Sequence, residues 1–200
     1  ARREVPAEAV RFAMDEVMTG RASDVHVAAF AFGLFAKGIT PSELDAAATG
    51  MLAHAADVEL PDAAGAVDIV GTGGDGAHTV NISTMSSVVV AASGTPVLKH
   101  GNRAASSKSG GADMLEALGL DIADGHVNSP AHPDFRLRFL FAATYHPAMR
   151  YAGPVRSQLA VPTLSSLLGP LTNPAQPHAS LIGFAFEDQM ETMPGAFARR

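Results

Sequence analysis

Cysteine is absent from the 200 residues. That excludes disulfides, a thiolate nucleophile and any cysteine-based metal site, and it fits a cytoplasmic setting. No apolar run reaches the length of a membrane span, and Ala1-Arg2-Arg3-Glu4 does not open a signal peptide, so no membrane partner is expected. The formal net charge of −6 argues against nucleic acid as a partner. There is no internal repeat, no low-complexity linker, no H-E-x-x-H, no histidine cluster with metal spacing and no Ser/His/Asp order. The most informative absence is local. From Gly76 to Ala112 the chain has no Asp or Glu, yet it carries Lys99, Arg103, Lys108, His78 and His100. An acidic chain that keeps one block free of anions suits a ligand with more than one phosphate.

What is present is a composition 47% hydrophobic and 17% charged, enough to bury a sizeable core. Residues 5–56 read as three helices. Ala9, Val10, Ala13, Met14, Val17 and Met18 repeat at helical spacing, with Gly20 as a stop. A second helix starts near Ser23 and ends before Gly38. Thr40, Pro41 and Glu43 form a capping box at the start of a third. His26 and His54 read as surface or packing residues, since no carboxylate stands at matching spacing. Residues 60–66, with Pro61 and Gly65, read as a joint.

Past the joint the pattern changes. Val67-Asp68-Ile69-Val70 reads as a buried strand, followed by the glycine loop Gly71-Thr72-Gly73-Gly74-Asp75-Gly76 and a helix over 85–92. Thr95-Pro96-Val97-Leu98 reads as a second strand, residues 99–111 as a polar loop and residues 112–119 as a helix. Strand, glycine loop and helix form the layout of a phosphate site. Glycines turn the backbone so that several N–H groups meet one anion, and the helix adds its N-terminal N–H groups. Asn81, Ser83 and Thr84 sit where they can cap that helix or touch the ligand. The loop matches G-x-G-x-x-G but lacks the acidic residue about 20 positions on that a dinucleotide ribose needs, and it lacks the Lys-Ser/Thr of a P-loop. Taken alone, the loop is also compatible with a plain glycine-rich turn.

Alternating strands and helices imply a parallel α/β sheet, and both polar loops leave its carboxyl end. Lys99 and Lys108 then offer point charges, Arg103 a fork, and Ser106, Ser107 and Ser109 hydroxyls. Asn102 can read a second substrate. Surface solvation is an equal reading for Arg103 or Lys108 alone. Transfer from an activated sugar phosphate fits this inventory, because it needs charge stabilisation and positioning but no protein nucleophile.

Several segments together resemble the anthranilate phosphoribosyltransferases of the nucleoside phosphorylase/phosphoribosyltransferase superfamily. They are residues 68–75, Asn81-Ile82-Ser83-Thr84, Lys99-His100-Gly101-Asn102-Arg103, residues 112–119, His146-Pro147-Ala148-Met149-Arg150 and Leu167-Leu168-Gly169-Pro170-Leu171-Thr172-Asn173-Pro174. The resemblance runs from about residue 8 to about residue 186. It implies a helical domain over 1–62 and an α/β domain over 63–200 with a mostly parallel sheet, incomplete at its C-terminus. The segment at about 144–162 would pack on the helical domain.

It further implies transfer of phosphoribosyl from 5-phosphoribosyl 1-diphosphate to anthranilate with release of pyrophosphate, in tryptophan biosynthesis. Mg²⁺ would be the cofactor and the assembly a homodimer through the helical domain. The sugar-phosphate site would comprise Gly71, Gly74, Asp75, Thr79, Asn81, Ile82, Ser83, Thr84, Lys99, His100, Gly101, Asn102, Arg103, Ala104, Ala105, Ser106, Ser107 and Gly111. Gly71, Asn102 and Arg156 would receive anthranilate, and Ser83 would touch Mg²⁺. No residue is assigned as a nucleophile or general acid–base. The sequence departs from the family in four places. Ser165-Ser166 replace Phe-Asn, and Gly111 stands where serine or alanine is common. Pro130 and Pro133 interrupt the helix expected over 121–138, where His126 and His132 read as solvent-facing. The family's magnesium-binding Asp-Glu pair belongs downstream of residue 200, and Glu187, Asp188 and Glu191 do not match it. Alternatives are a truncated sugar-phosphate-binding relative without turnover and a pyrimidine nucleoside phosphorylase-like enzyme.

Overall fold

The computed structural model describes residues 3–58, 65–73, 80–103, 109–122 and 136–200. Three helices come first: α1 (Ala7–Met18), α2 (Asp24–Lys37) and α3 (Pro41–Leu52). Ser23 caps α2 by accepting from the His26 N–H. The expected capping box opens α3: the Thr40 hydroxyl accepts from the Glu43 N–H, and the Glu43 carboxylate accepts from the Thr40 N–H. Such reciprocal bonds satisfy two donors that the first helical turn leaves free.

Glu43 does more than cap. It is wholly buried, and its carboxylate also accepts from the Val5 N–H at 2.6 Å and from Lys37 Nζ at 2.5 Å. One side chain thus ties the N-terminal segment, the end of α2 and the start of α3. The apolar faces of these helices share one core with residues from far along the chain: Val155 of α7 (Gly153–Leu159), Leu164, Leu167 and Leu168 of α8 (Leu164–Leu168), and Met193 and Ala196 of α9 (Thr192–Phe197).

The second layer is a four-stranded sheet of order β3-β2-β1-β4, parallel throughout: β1 (Val67–Gly71), β2 (Val97–Gly101), β3 (Leu137–Phe141) and β4 (Ala179–Gly183). Its connections include α4 (Ile82–Ala92), α5 (Gly111–Ala117) and the short α6 (Ala142–Tyr145). Helical bundle plus α/β domain with a parallel sheet is the architecture read from the sequence. β1 faces β4, and β2 faces β3, through five residue pairs each. β1 and β2 are in register only at Val67 opposite Val97.

Two boundaries differ from expectation. The helix after the glycine loop begins at Ile82, three residues early. The second strand begins at Val97 and runs to Gly101, so Lys99 and His100 belong to the sheet and not to a polar loop. Polarity misled here because both side chains are buried and have found partners within the fold. The atypical segment at 123–135, with its two prolines and two histidines, lies outside the described residues.

Candidate active site

Parallel pairing puts the carboxyl ends of all four strands at one edge of the sheet, where ligands of such sheets bind. Gly71 ends β1 and leads into the glycine loop. Gly101 ends β2 and leads into the second loop. Gly73 has φ +64°, the left-handed backbone that glycine adopts at no steric cost. Of the expected site residues, Gly74, Asp75, Thr79, Ala104, Ala105, Ser106 and Ser107 lie outside the described residues.

The others fall into three groups. Lys99 is at the centre of the first. It is 2% exposed, and its Nζ donates to the Ile69 carbonyl at 2.7 Å and to Ser83 Oγ at 3.4 Å. Burial pulls its pKa down to about 8, against the opposing pull of the Asp68 carboxylate. Lys99 is therefore a lining cation beneath the crevice, where the sequence suggested a charge on a polar loop. Thr84 is buried beside it, and its Oγ1 has no hydrogen-bond partner among the described residues. Gly111 explains how α5 comes so close: a Cβ there would stand 2.6 Å from Thr84 Oγ1. A serine or alanine at 111 would need this neighbourhood to shift.

The second group joins the two loops. Asn81 precedes α4 without capping it. Its Nδ2 donates instead to the Gly110 carbonyl at 3.2 Å and to Ser109 Oγ at 3.3 Å. The Asn102 carbonyl accepts from the Ala112 N–H at 3.3 Å, and Asn102 Oδ1 accepts from the Arg103 N–H. Arg103 is committed elsewhere than expected. Its guanidinium forms a two-point ion pair with Glu116 of α5 and lies over the Phe141 ring, 4.7 Å from the centroid. The fork read from the sequence as a phosphate holder is occupied by a carboxylate just outside the anion-free block. Ile82 is 59% exposed, so only its backbone is suited to a polar ligand.

His100 forms the third group with His146, which the sequence reading left without a role. The rings meet edge to face, 5.2 Å between centroids. His100 Nδ1 donates to the Gly169 carbonyl at 3.1 Å and His146 Nε2 to the Thr172 carbonyl at 2.8 Å. Because carbonyls only accept, each ring carries its proton on that nitrogen. His100 Nε2 and His146 Nδ1 remain as buried acceptors without partners among the described residues. Burial pushes the His100 pKa down to about 3 and lowers that of His146 as well.

Arg156 is separate from all three. It lies on α7 and lines an apolar cleft in the bundle with Met18, Phe30, Met149 and Leu164. Burial alone lowers its pKa, and among the described residues no side chain pairs with its guanidinium. No described contact brings it to Gly71 or Asn102. His54, read as partnerless, shares a 2.9 Å hydrogen bond with Asp15 of α1, a contact between helices that spacing within one helix could not reveal. Among the described residues no group of three His, Asp or Glu could hold a metal. Ser83 offers one neutral oxygen beside the Lys99 ammonium, so it fits a cation shared with substrate phosphates and not one held by the protein alone.

The matching family models divide the chain in two: a glycosyl transferase family helical bundle domain over residues 1–55 and a glycosyl transferase family a/b domain over residues 63–199. An anthranilate phosphoribosyltransferase of Corynebacterium jeikeium (strain K411) is 60% identical over 199 residues, covering 98% of this chain and 54% of the relative. The crystal structure of anthranilate phosphoribosyltransferase from Thermus thermophilus superposes with a TM-score of 0.86 at 40% identity, covering 99% of this chain and 60% of that one. The Saccharomyces cerevisiae anthranilate phosphoribosyltransferase in complex with PRPP and Mg gives a TM-score of 0.80 at 28% identity, covering 96% and 58%. The chain thus spans a little over half the length of the relatives it matches.

Proposed function

From the premise that this chain belongs to the glycosyl transferase family whose members join a helical bundle domain to an a/b domain, we propose that it transfers phosphoribosyl from 5-phosphoribosyl 1-diphosphate to anthranilate. The observation that carries this reading is the buried cation at the crevice. Lys99 lies beneath the point where β1 and β2 deliver their two loops, with the hydroxyls of Ser83 and Thr84 at the start of α4 beside it. A buried ammonium whose partners are a carbonyl and a hydroxyl favours an anion arriving from solvent. The relatives' names, and a yeast relative in complex with PRPP and Mg, support 5-phosphoribosyl 1-diphosphate as that anion.

In this reading the glycine loop from Gly71 to Thr79 and residues 81–84 hold the diphosphate and ribose, and residues 99–107 with Gly111 close the other side. The anthranilate nitrogen forms a bond to C1 of the ribose as the C1–O bond to pyrophosphate breaks. Pyrophosphate leaves with the electron pair, and the new ammonium gives up a proton. Ser83 would help to hold Mg²⁺ together with the substrate, and the ion would supply charge neutralisation for the departing pyrophosphate. The chain's own part is electrostatic and positional. Arg156 supplies the fork for the anthranilate carboxylate: a partly desolvated guanidinium in an apolar cleft, with no side-chain partner among the described residues, suits an aromatic acid. Asn102 and Gly71 would meet the same substrate from the loop side.

The test is pyrophosphate release. Adding anthranilate to the chain with 5-phosphoribosyl 1-diphosphate and Mg²⁺ should release pyrophosphate in step with loss of anthranilate. Cleavage of a nucleoside with consumption of free phosphate, and no pyrophosphate release, would overturn the reading in favour of a phosphorylase.

A further inference from the structure

The sheet has one weak seam, and it runs between the two strands that carry the loops. β1 and β2 share a single residue pair, Val67 and Val97, at the end away from the crevice. Beyond it side chains bridge the strands. Asp68 of β1 is wholly buried, and its Oδ1 accepts from the backbone N–H of His100 at 3.2 Å. Lys99 of β2 reaches back to the Ile69 carbonyl at 2.7 Å. Asn173, buried after the Gly169–Leu171 turn, divides its amide between Asp68 Oδ2 at 2.9 Å and the Leu98 carbonyl at 2.8 Å, and its Oδ1 accepts from the Ala175 N–H. A carboxylate has therefore been placed inside a sheet, at a desolvation cost, where a backbone ladder would have needed no charge.

We propose that Asp68 is a positioning residue for the sugar-phosphate site: with Asn173 and Lys99 it fixes the separation and register of β1 and β2, and so of the strand ends Gly71 and Gly101 that face the ligand. This rests on the sugar-phosphate reading above. Two features favour positioning over bulk stability. The bridges run from the Val67–Val97 pair through residues 68–69 and 98–100, up to the glycines at which the two loops leave the sheet. They also join the charge of Asp68 to Lys99, whose ammonium is the cation offered to the ligand. Asp68 is the charged group acting on Lys99. His100 on the same strand is neutral, α4 approaches with the Ser83 hydroxyl, and α5 approaches through Gly111.

The experiment measures binding of 5-phosphoribosyl 1-diphosphate with Mg²⁺ to the full chain by calorimetry. Asp68→Asn keeps the shape and the acceptor for His100 but sets an amide against the Asn173 amide and removes the charge. It should weaken binding about tenfold or more, the loss expected of one charge-assisted contact. Adding Asn173→Asp to Asp68→Asn returns a carboxylate–amide pair to the seam and should recover at least about threefold, on the same scale of one hydrogen bond. Equal affinity in Asp68→Asn would overturn the proposal, as would a loss with no recovery in the double variant. Should Asp68→Asn fail to fold, Asn173→Ser, outside the strands, takes its place with the same expected weakening, and unchanged affinity there overturns the proposal. If the unmodified chain itself fails to bind, the sugar-phosphate reading falls. Amide exchange at His100 then decides the seam: faster exchange in Asp68→Ala supports the bridge, and unchanged exchange overturns it.

Discussion

Single side chains separate recognition from packing at two positions. Arg156 has no side-chain partner among the described residues, so removing it costs no ion pair there. Arg156→Ala should weaken anthranilate binding by about 10- to 100-fold, the value of a charge-assisted bond, while sugar-phosphate affinity stays within about threefold. Calorimetry with each ligand in turn checks this, and equal losses for both would show that the residue acts through folding. Gly111 is the opposite case, a residue fixed by closeness. Gly111→Ala places a methyl 2.6 Å from Thr84 Oγ1 and near Lys99. The expected cost is about 1–3 kcal/mol, as for an overfilled core, with weaker sugar-phosphate binding because Thr84 and Lys99 must both move. Denaturant melts of the two chains give the first quantity directly.

Elements show where sequence reading succeeds and where it stops. The capping box at Thr40 and Glu43 was legible because a cap is local: a hydroxyl, three residues and an acid. The same Glu43 also holds Lys37 and the Val5 N–H, and nothing local announced that. Burial raises its pKa, but the bonds from Lys37, Thr40 and Val5 outweigh it and hold the carboxyl below its ordinary value. Glu43→Ala strands the Lys37 ammonium and should cost about 3–5 kcal/mol, typical of breaking a buried pair. A loss under about 1 kcal/mol would mean that water replaces the carboxylate freely. β2 failed in the other direction. Alternation and polarity ended the strand at Leu98, because Lys and His rarely lie in a sheet interior. They do so here because Ile69, Gly169 and the Asp68 carboxylate, all remote in sequence, supply partners. The motifs named candidate site residues; the pairings those residues make, such as Arg103 with Glu116, could come only from the fold.

At the scale of the molecule, pH is the broadest probe. His100 and His146 both have folded pKa values below the ordinary 6.5, through burial first. The unfolded chain therefore binds the extra protons. The stability these rings contribute is complete above about pH 6.5 and is lost as pH falls through that value towards about 3 for His100. Asp68 works against this trend, because burial raises its pKa and the folded chain keeps that proton longer. With two histidines against one carboxyl, the free energy of unfolding should drop between about pH 7.5 and about pH 5. A flat profile over that interval would refute the assignment of two neutral buried rings. The register of the sheet carries a different consequence, for synthesis. β1 must wait for β4, since Val67 pairs with Ala179, and the bundle core must wait for Met193 and Ala196. At roughly 5–20 residues per second, a ribosome exposes β1 on the order of ten seconds before its outer neighbour exists. Throughout that interval the nascent chain holds an open sheet edge at β1 and an open apolar face on the bundle, which residues 179–196 later cover. Synthesis halted short of β4 would leave neither layer able to close, so the order of translation ties the closing of the bundle core to that of the sheet.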